Sequence, residues 1–309
     1  MNSSELAAEL KQRARAAGAD LAGIAAAAAP PQAAALSPWL AAGRHADMDF
    51  MRRDAKTRQD IRRWYPAAKS VLVCGFAYDG GERPAADAEH GHIARYAAHE
   101  DYHSVLRLRL EQVLRWWRQS GPEADGRIFV DSSPVLEKLY GYHAGLGWIG
   151  RNCLLISQEI GSYFLLAGIA LNRELEPDRP AADHCGGCRA CLDACPSTAL
   201  LPDRVLDASR CTAYLTIEAR GPIPESRSSG MGHWLAGCDL CQDACPWNRK
   251  RRAGILKPLL PLEIPLSEAA DVSPEGWERR FQATPIARLK RQGLARNASL
   301  ALAENRRNL

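Results

Sequence analysis

The sequence predicts a mixed α/β chain in three parts: an α/β domain over residues 1–175, a small cysteine-rich domain over 176–250, and a basic helical segment over 251–309. Three observations predict it. Apolar, β-branched runs alternate with helical patterns through the first part. Eight of the ten cysteines fall between Cys185 and Cys245. From Arg249 onward thirteen basic residues stand against six acidic ones, so the tail carries +7 and the preceding chain −3. Such asymmetry fits either a polyanion partner or a solvated basic face.

Residues 4–17 read as a helix, capped by Ser3 or Ser4, with Leu6 and Leu10 on one face and Gly18 at its end. Asp20–Ala25 reads as a short strand, and the Ala25–Ala29 run before Pro30-Pro31 as a low-complexity linker. The basic stretch from Arg52 to Arg63 is either a solvated helix face or an anion site. Ser70–Ala77 is a buried strand by its apolar run. Cys74 within it, and Cys153 beside another apolar run, read as core thiols.

Asp101 opens the longest helix, whose apolar positions run from Val105 to Trp117. Asp101-x-His103 begins a D-x-H-x-x-G cobalamin signature, but Leu106 stands in the glycine's place. A packed or hydrogen-bonded His103 is therefore expected rather than a metal ligand. Arg127–Asp131 reads as a strand ending in a carboxylate, with Ser132-Ser133-Pro134 and a helix from Val135 to His143 behind it. Ligands of open α/β sheets sit beyond the carboxyl ends of strands, so Asp131 either faces a ligand or caps the helix that follows.

Gly145-Leu-Gly147-Trp-Ile-Gly150 matches G-x-G-x-x-G but lies between a helix and a strand, the reverse of the dinucleotide context, which discounts NAD. Its glycines are expected to let the backbone approach something flat or large. Leu154–Ser157 and Tyr163–Asn172 read as a hairpin, and Glu174–Asp183 as a linker. Thr284-Pro285 starts a helix running to about Arg291, separated by Gly293 from another over 294–302.

Cys185-x2-Cys188-x2-Cys191-x3-Cys195-Pro196 has the spacing of bacterial ferredoxins, in which the fourth cysteine crosses to the other cluster. Cys238, Cys241 and Cys245 repeat it without a leading cysteine, because Leu235 stands there, and Cys211 completes the eight. The crossing rule puts Cys185, Cys188, Cys191 and Cys245 on one 4Fe–4S cluster, and Cys195, Cys211, Cys238 and Cys241 on the other. Zinc knots would show separated C-x2-C pairs, and a disulfide scaffold would be short and exported. Glu5, Glu9 and Lys11 interrupt any N-terminal apolar run, and no uncharged apolar stretch reaches eighteen residues. No signal peptide or membrane span is expected, and a reducing cytoplasm suits cysteines that serve as metal ligands.

Taken together, several stretches resemble the epoxyqueuosine reductases of tRNA modification. They are Val130–Glu137, Ala144–Asn152, the first cysteine run, Cys211–Pro224 with its Tyr214-Leu-Thr-Ile-Glu218, and Gly237–Asn248 with its Pro246-Trp-Asn ending. The resemblance implies an N-terminal cobalamin-binding α/β domain joined to a two-cluster ferredoxin-like domain. It implies reduction of the epoxide of epoxyqueuosine at the tRNA wobble position, with Asp131 as proton donor kept protonated by a dry pocket. It also implies Arg58, Tyr96, Asn152, Leu155 and Asp239 around the corrin. Arg220 and the block Arg249, Lys250, Arg251, Arg252 are the expected tRNA phosphate contacts. An external electron donor of flavodoxin or ferredoxin type and a monomer are expected as well. The family's Thr-Gly-Pro after the aspartate is Ser132-Ser133-Pro134 here. Many members continue into a helical repeat domain, of which the last helices are expected to be the beginning. The competing readings are another cobalamin and Fe–S reductase related to reductive dehalogenases, a ferredoxin-type electron carrier, and a nucleic-acid-binding module with structural clusters.

Overall fold

The computed structural model describes residues 2–79, 81–85 and 87–307. The strands in chain order are β1 (Leu21–Ala26), β2 (Ser70–Ala77), β3 (His90–Ile93), β4 (Gly126–Val130), β5 (Trp148–Ile149), β6 (Leu155–Ile156), β7 (Phe164–Leu171), β8 (Leu200–Leu201), β9 (Val205–Leu206), β10 (Trp234–Ala236) and β11 (Glu263–Pro265).

The main sheet has the order β1-β2-β7-β4, and each neighbouring pair is antiparallel. The placement rule for parallel α/β sheets therefore does not explain Asp131. Strand β2 is buried along its whole length, so the pleat sends alternate residues to two cores. Leu72, Cys74 and Phe76 meet the helices Ser3–Ala16 and Tyr102–Gln119. Val71, Val73 and Ala77 meet the helix Glu137–His143 and β6. Burial pushes the Cys74 thiol up to about 12, as suits an inert core residue.

Several elements depart from expectation for local reasons. Asn2, not Ser3 or Ser4, caps the first helix, through a reciprocal pair with Glu5. The alanine run begins inside β1, and Ala25 and Ala27 belong to the core. Leu155–Ile156 pairs with Trp148–Ile149, while Phe164–Leu171 joins β2 and β4; a single bridge, Ser157 to Gly161, remains of the expected hairpin. The glycine-dense stretch supplies this small β5-β6 pairing: a Cβ on Gly147 would lie 2.0 Å from the Ile156 carbonyl oxygen. That glycine serves the chain's own close approach.

A second sheet has β3 at its centre, parallel to β10 and antiparallel to β11. Its core joins Ile93 to Leu235 and Ile264, and continues to Phe281, Leu294 and Ala298. The C-terminal helix is continuous over Lys290–Arg307 and runs through Gly293. A Cβ there would meet Leu289 at 3.2 Å, so the glycine eases packing, and the break falls instead at Lys290, where φ is 60°. Among the described residues no helix is long and apolar enough to cross a membrane.

Candidate active site and cluster ligands

Two elements converge on Asp131. Strand β4 ends at Val130, and Asp131 follows with φ 46°, a left-handed conformation that costs a non-glycine residue energy unless its surroundings hold it. Its backbone N–H donates to Glu137 Oε1 at 2.7 Å, which pins the turn. From the other side the helix Tyr102–Gln119 begins, with Asp101 as N-cap accepting from the His103 N–H. His103 then lies in line between two carboxylates, with Nδ1 2.7 Å from Asp101 Oδ1 and Nε2 3.0 Å from Asp131 Oδ2. The Tyr102 ring stacks on His103 at 4.2 Å. Asp131 does not cap the helix Glu137–His143, whose N-cap position is Leu136.

The charges in this cluster divide unequally. Hydrogen bonds to Asp101 and Asp131 push His103 up to about 9, so it is an imidazolium at neutral pH. Desolvation pushes the Asp131 carboxyl up, but the His103 hydrogen bond and charge outweigh it and hold the group below its ordinary range. Burial and the Asp131 charge push Glu137 up to about 8. Asp131, with its side chain 59% exposed, is thus the ionised member of the cluster. The proton expected on Asp131 is held by its neighbours His103 and Glu137.

The other expected site residues fall in different places. Arg58 is turned inward from the short helix Ala55–Gln59, stacks over Phe50 at 5.5 Å, and faces the charges of Asp54, Asp131 and Glu137. Burial lowers its pKa, and its buried Nε has no partner. Asn152 is buried and accepts the Leu154 N–H through Oδ1, leaving Nδ2 without a partner. Tyr96 is raised by burial and then by Asp131 and Asp239, so its hydroxyl senses both carboxylates. Leu155 points into the core beneath Gly141. Asp239 is buried within the fold: Oδ2 accepts from Arg83 Nη2 at 2.9 Å and from the Arg95 N–H at 2.8 Å. Burial raises it to about 6.

The basic residues expected to meet phosphate are mostly engaged. Arg220 donates to the Ile217 and Arg288 carbonyls. Lys250 donates to the Gln158 carbonyl, Arg251 pairs with Asp79 and Glu82, and Arg252 pairs with Asp20. Arg249 alone of the block is exposed with neither an ion pair nor a side-chain hydrogen bond among the described residues. Sequence reasoning missed Tyr102, Glu137 and Arg288 as neighbours of Asp131. Glu137, six residues beyond Asp131 at the start of a helix, was the available signal for one of them.

All ten cysteines are unpaired thiols. Burial and then Cys185, Cys245 and Cys188 push Cys191 up to about 11. Burial also raises Cys238, which senses Cys211 and Cys195 next among the thiols, and Cys241, which senses Cys238 and Cys211. Cys191 therefore lies near Cys185, Cys188 and Cys245, and Cys238 near Cys211 and Cys195, while Cys241 senses Cys191 as well as Cys238 and Cys211. Among the described residues no three His, Cys, Asp or Glu side chains close on a single ion. Cys153 is no strand core residue; it sits at φ 62° and lies near enough to sense the Cys211 charge. The Trp148 indole N–H donates to Cys185 Sγ at 3.4 Å, and hydrogen bonds of this kind raise the potential of a cluster by stabilising its reduced, more negative state.

Comparison with known proteins agrees with this arrangement. Residues 184–248 match the family model "4Fe-4S double cluster binding domain", and residues 58–132 match "Epoxyqueuosine reductase QueG, DUF1730". The epoxyqueuosine reductase of Synechocystis sp. is 38% identical over 279 residues, 86% of this chain and 94% of that protein. That of Gloeobacter violaceus is 40% identical over 307 residues, 96% of this chain and 95% of the other. A crystal structure of epoxyqueuosine reductase with a tRNA-Tyr epoxyqueuosine-modified stem loop superposes with a TM-score of 0.91 at 28% identity, covering 98% of this chain and 82% of that one.

Proposed function

Since the chain belongs to the epoxyqueuosine reductase family and carries two 4Fe–4S clusters, we propose that it converts epoxyqueuosine to queuosine in tRNA with cobalamin held over Asp131. Residues 1–175 supply most of the corrin pocket in this reading, and 176–250 the clusters. The observation that carries it is the line Asp101–His103–Asp131, faced by Arg58, together with two buried side-chain donors without partners, Arg58 Nε and Asn152 Nδ2. Unpartnered buried donors are costly, and the amide-rimmed corrin offers carbonyl acceptors for both. Tyr96 adds a phenol at the same place. Asp239, enclosed by Arg83 and Arg95, acts in this reading by steadying the second cluster's loop.

Cobalamin, when bound, supplies the low-potential electron donor or nucleophile that opens the epoxide. The chain's own residues handle protons and access. Two electrons and two protons enter for each epoxide, the carbon–oxygen bonds break, and the oxygen leaves as water. The proton starts on His103 Nε2, 3.0 Å from Asp131 Oδ2, and the Asp131 carboxylate takes it up and relays it to the leaving oxygen while Asp101 holds the imidazole in place. Glu137 fixes the Asp131 turn through its backbone. Cys188 is exposed on the first cluster's loop, which suits electron entry from a flavodoxin or ferredoxin.

An anaerobic assay on an epoxyqueuosine-containing stem loop tests the reading. Mass spectrometry should find a nucleoside lacking one oxygen only when cobalamin and a reductant are both present. With His103 titrating at about 9, turnover should fall as pH rises through about 9, roughly tenfold per unit beyond it. His103→Gln should lower the plateau and remove that limb. Product without cobalamin would overturn the reading.

A further inference from the structure

Beside the Asp131 turn lies an open groove of about 740 Å³ that plays no part in the chemistry above. Arg107, Glu111, Arg115 and Arg118 line it from the outer face of the helix Tyr102–Gln119, where spacings of four, four and three residues put them in one stripe. Arg127 of the edge strand β4 and Trp64 line the facing side. The floor is Ser132–Pro134, the three residues directly after Asp131. All four arginines are exposed. Arg118 is paired with Asp125, and Arg127 lies over the Trp64 ring at 4.2 Å while donating to the Trp64 carbonyl. Arg107 and Arg115 make no ion pair among the described residues. Glu111 is the one acidic residue in the lining.

Resting on the tRNA reading, we propose that this groove seats backbone phosphates of the nucleotides flanking the wobble base. A nucleoside presented to Asp131 must carry its neighbouring phosphates past Ser132–Pro134, and there the structure supplies guanidiniums and two serines. Arginine forks match phosphate geometry, and contacts of this kind set the register of a nucleic acid without reading its bases. The groove takes the place of the Arg249–Arg252 block, three of whose side chains are held by the protein itself. An acidic electron donor fits less well, because the exposed cluster cysteine Cys188 is on a different loop and lines no part of this groove.

The test is fluorescence anisotropy of a labelled anticodon stem-loop RNA with the cluster-loaded protein at several salt concentrations. Arg107→Ala/Arg115→Ala should bind about tenfold more weakly. Its slope of log affinity against log salt should be smaller by about 1.5, since each lost contact removes roughly 0.7–0.9. Glu111→Lys should bind more tightly, with a steeper slope. Arg279→Ala, which removes one charge outside the groove, should match the wild type. If wild-type protein binds the RNA and both groove variants bind it identically, the groove assignment fails while the tRNA reading stands. If the wild type shows no salt-dependent RNA binding, the tRNA reading itself fails and the groove assignment with it. Unchanged RNA binding together with slower reduction by a flavodoxin would instead assign the groove to the electron donor and overturn the proposal.

Discussion

Asp131→Asn is expected to lower turnover by about 10²- to 10⁴-fold, the usual worth of a positioned proton donor, with iron content and cobalamin binding unchanged. The side chain is 59% exposed, and its fixed geometry comes from the backbone N–H bonded to Glu137, which asparagine retains. The substitution therefore removes a charge and the carboxylate's ability to take up and pass on a proton, with little loss of packing. It also has a second signature. His103 draws part of its elevated pKa of about 9 from Asp131, so in the variant its titration should move toward the ordinary histidine value, with Asp101 holding it partway. Turnover within a few-fold of wild type would remove Asp131 from the proton path.

Cys211→Ser is expected to have an effect as large by a different route. Cys211 stands at the N-cap position of the helix Thr212–Ile217, where the backbone N–H groups of Tyr214 and Ala213 favour its thiolate against the burial that raises it. It lies outside both cysteine runs, so the assignment of two complete clusters depends on it. The variant should retain about four irons per chain in place of about eight, keep the cluster of Cys185, Cys188, Cys191 and Cys245, and lose turnover by more than about 10²-fold. Iron analysis and the electron paramagnetic resonance of the reduced protein read this directly. Eight irons in the variant would transfer the ligand role to another thiol, and Cys153, close enough to sense Cys211, is the one to replace next.

How much of this was legible in the sequence follows the range of the interactions. The double-cluster domain was legible because Cys185–Cys195 and Cys238–Cys245 are short local patterns whose spacing is tied to one chemistry. Strand β2 was legible because eight buried residues in a row leave few alternatives. His103 as a hydrogen-bonded histidine was legible from Leu106 in place of a glycine, but its bond to Asp131 joins residues twenty-eight apart and has no local signal.

The misread features depended on distant partners. The direction of the strands in the main sheet is set by pairing, so an antiparallel sheet produced the same apolar runs as a parallel one. Lys250, Arg251 and Arg252 read as a free cationic block because Gln158, Asp79, Glu82 and Asp20 lie far away in sequence. The enclosure of Asp239 by Arg83 and Arg95 had no local signal either. The second sheet unites residues 90–93, 234–236 and 263–265, a joining that no segment-by-segment reading contains.

The account depends most on one chain carrying both clusters and a corrin beside Asp131. Iron and cobalt should be measured together in protein purified anaerobically, incubated with cobalamin and freed of excess. The expected result is about eight irons and one cobalt per chain. About eight irons with no retained cobalt would contradict it, because Arg58, Asn152 and Asp131 would then have no corrin to serve.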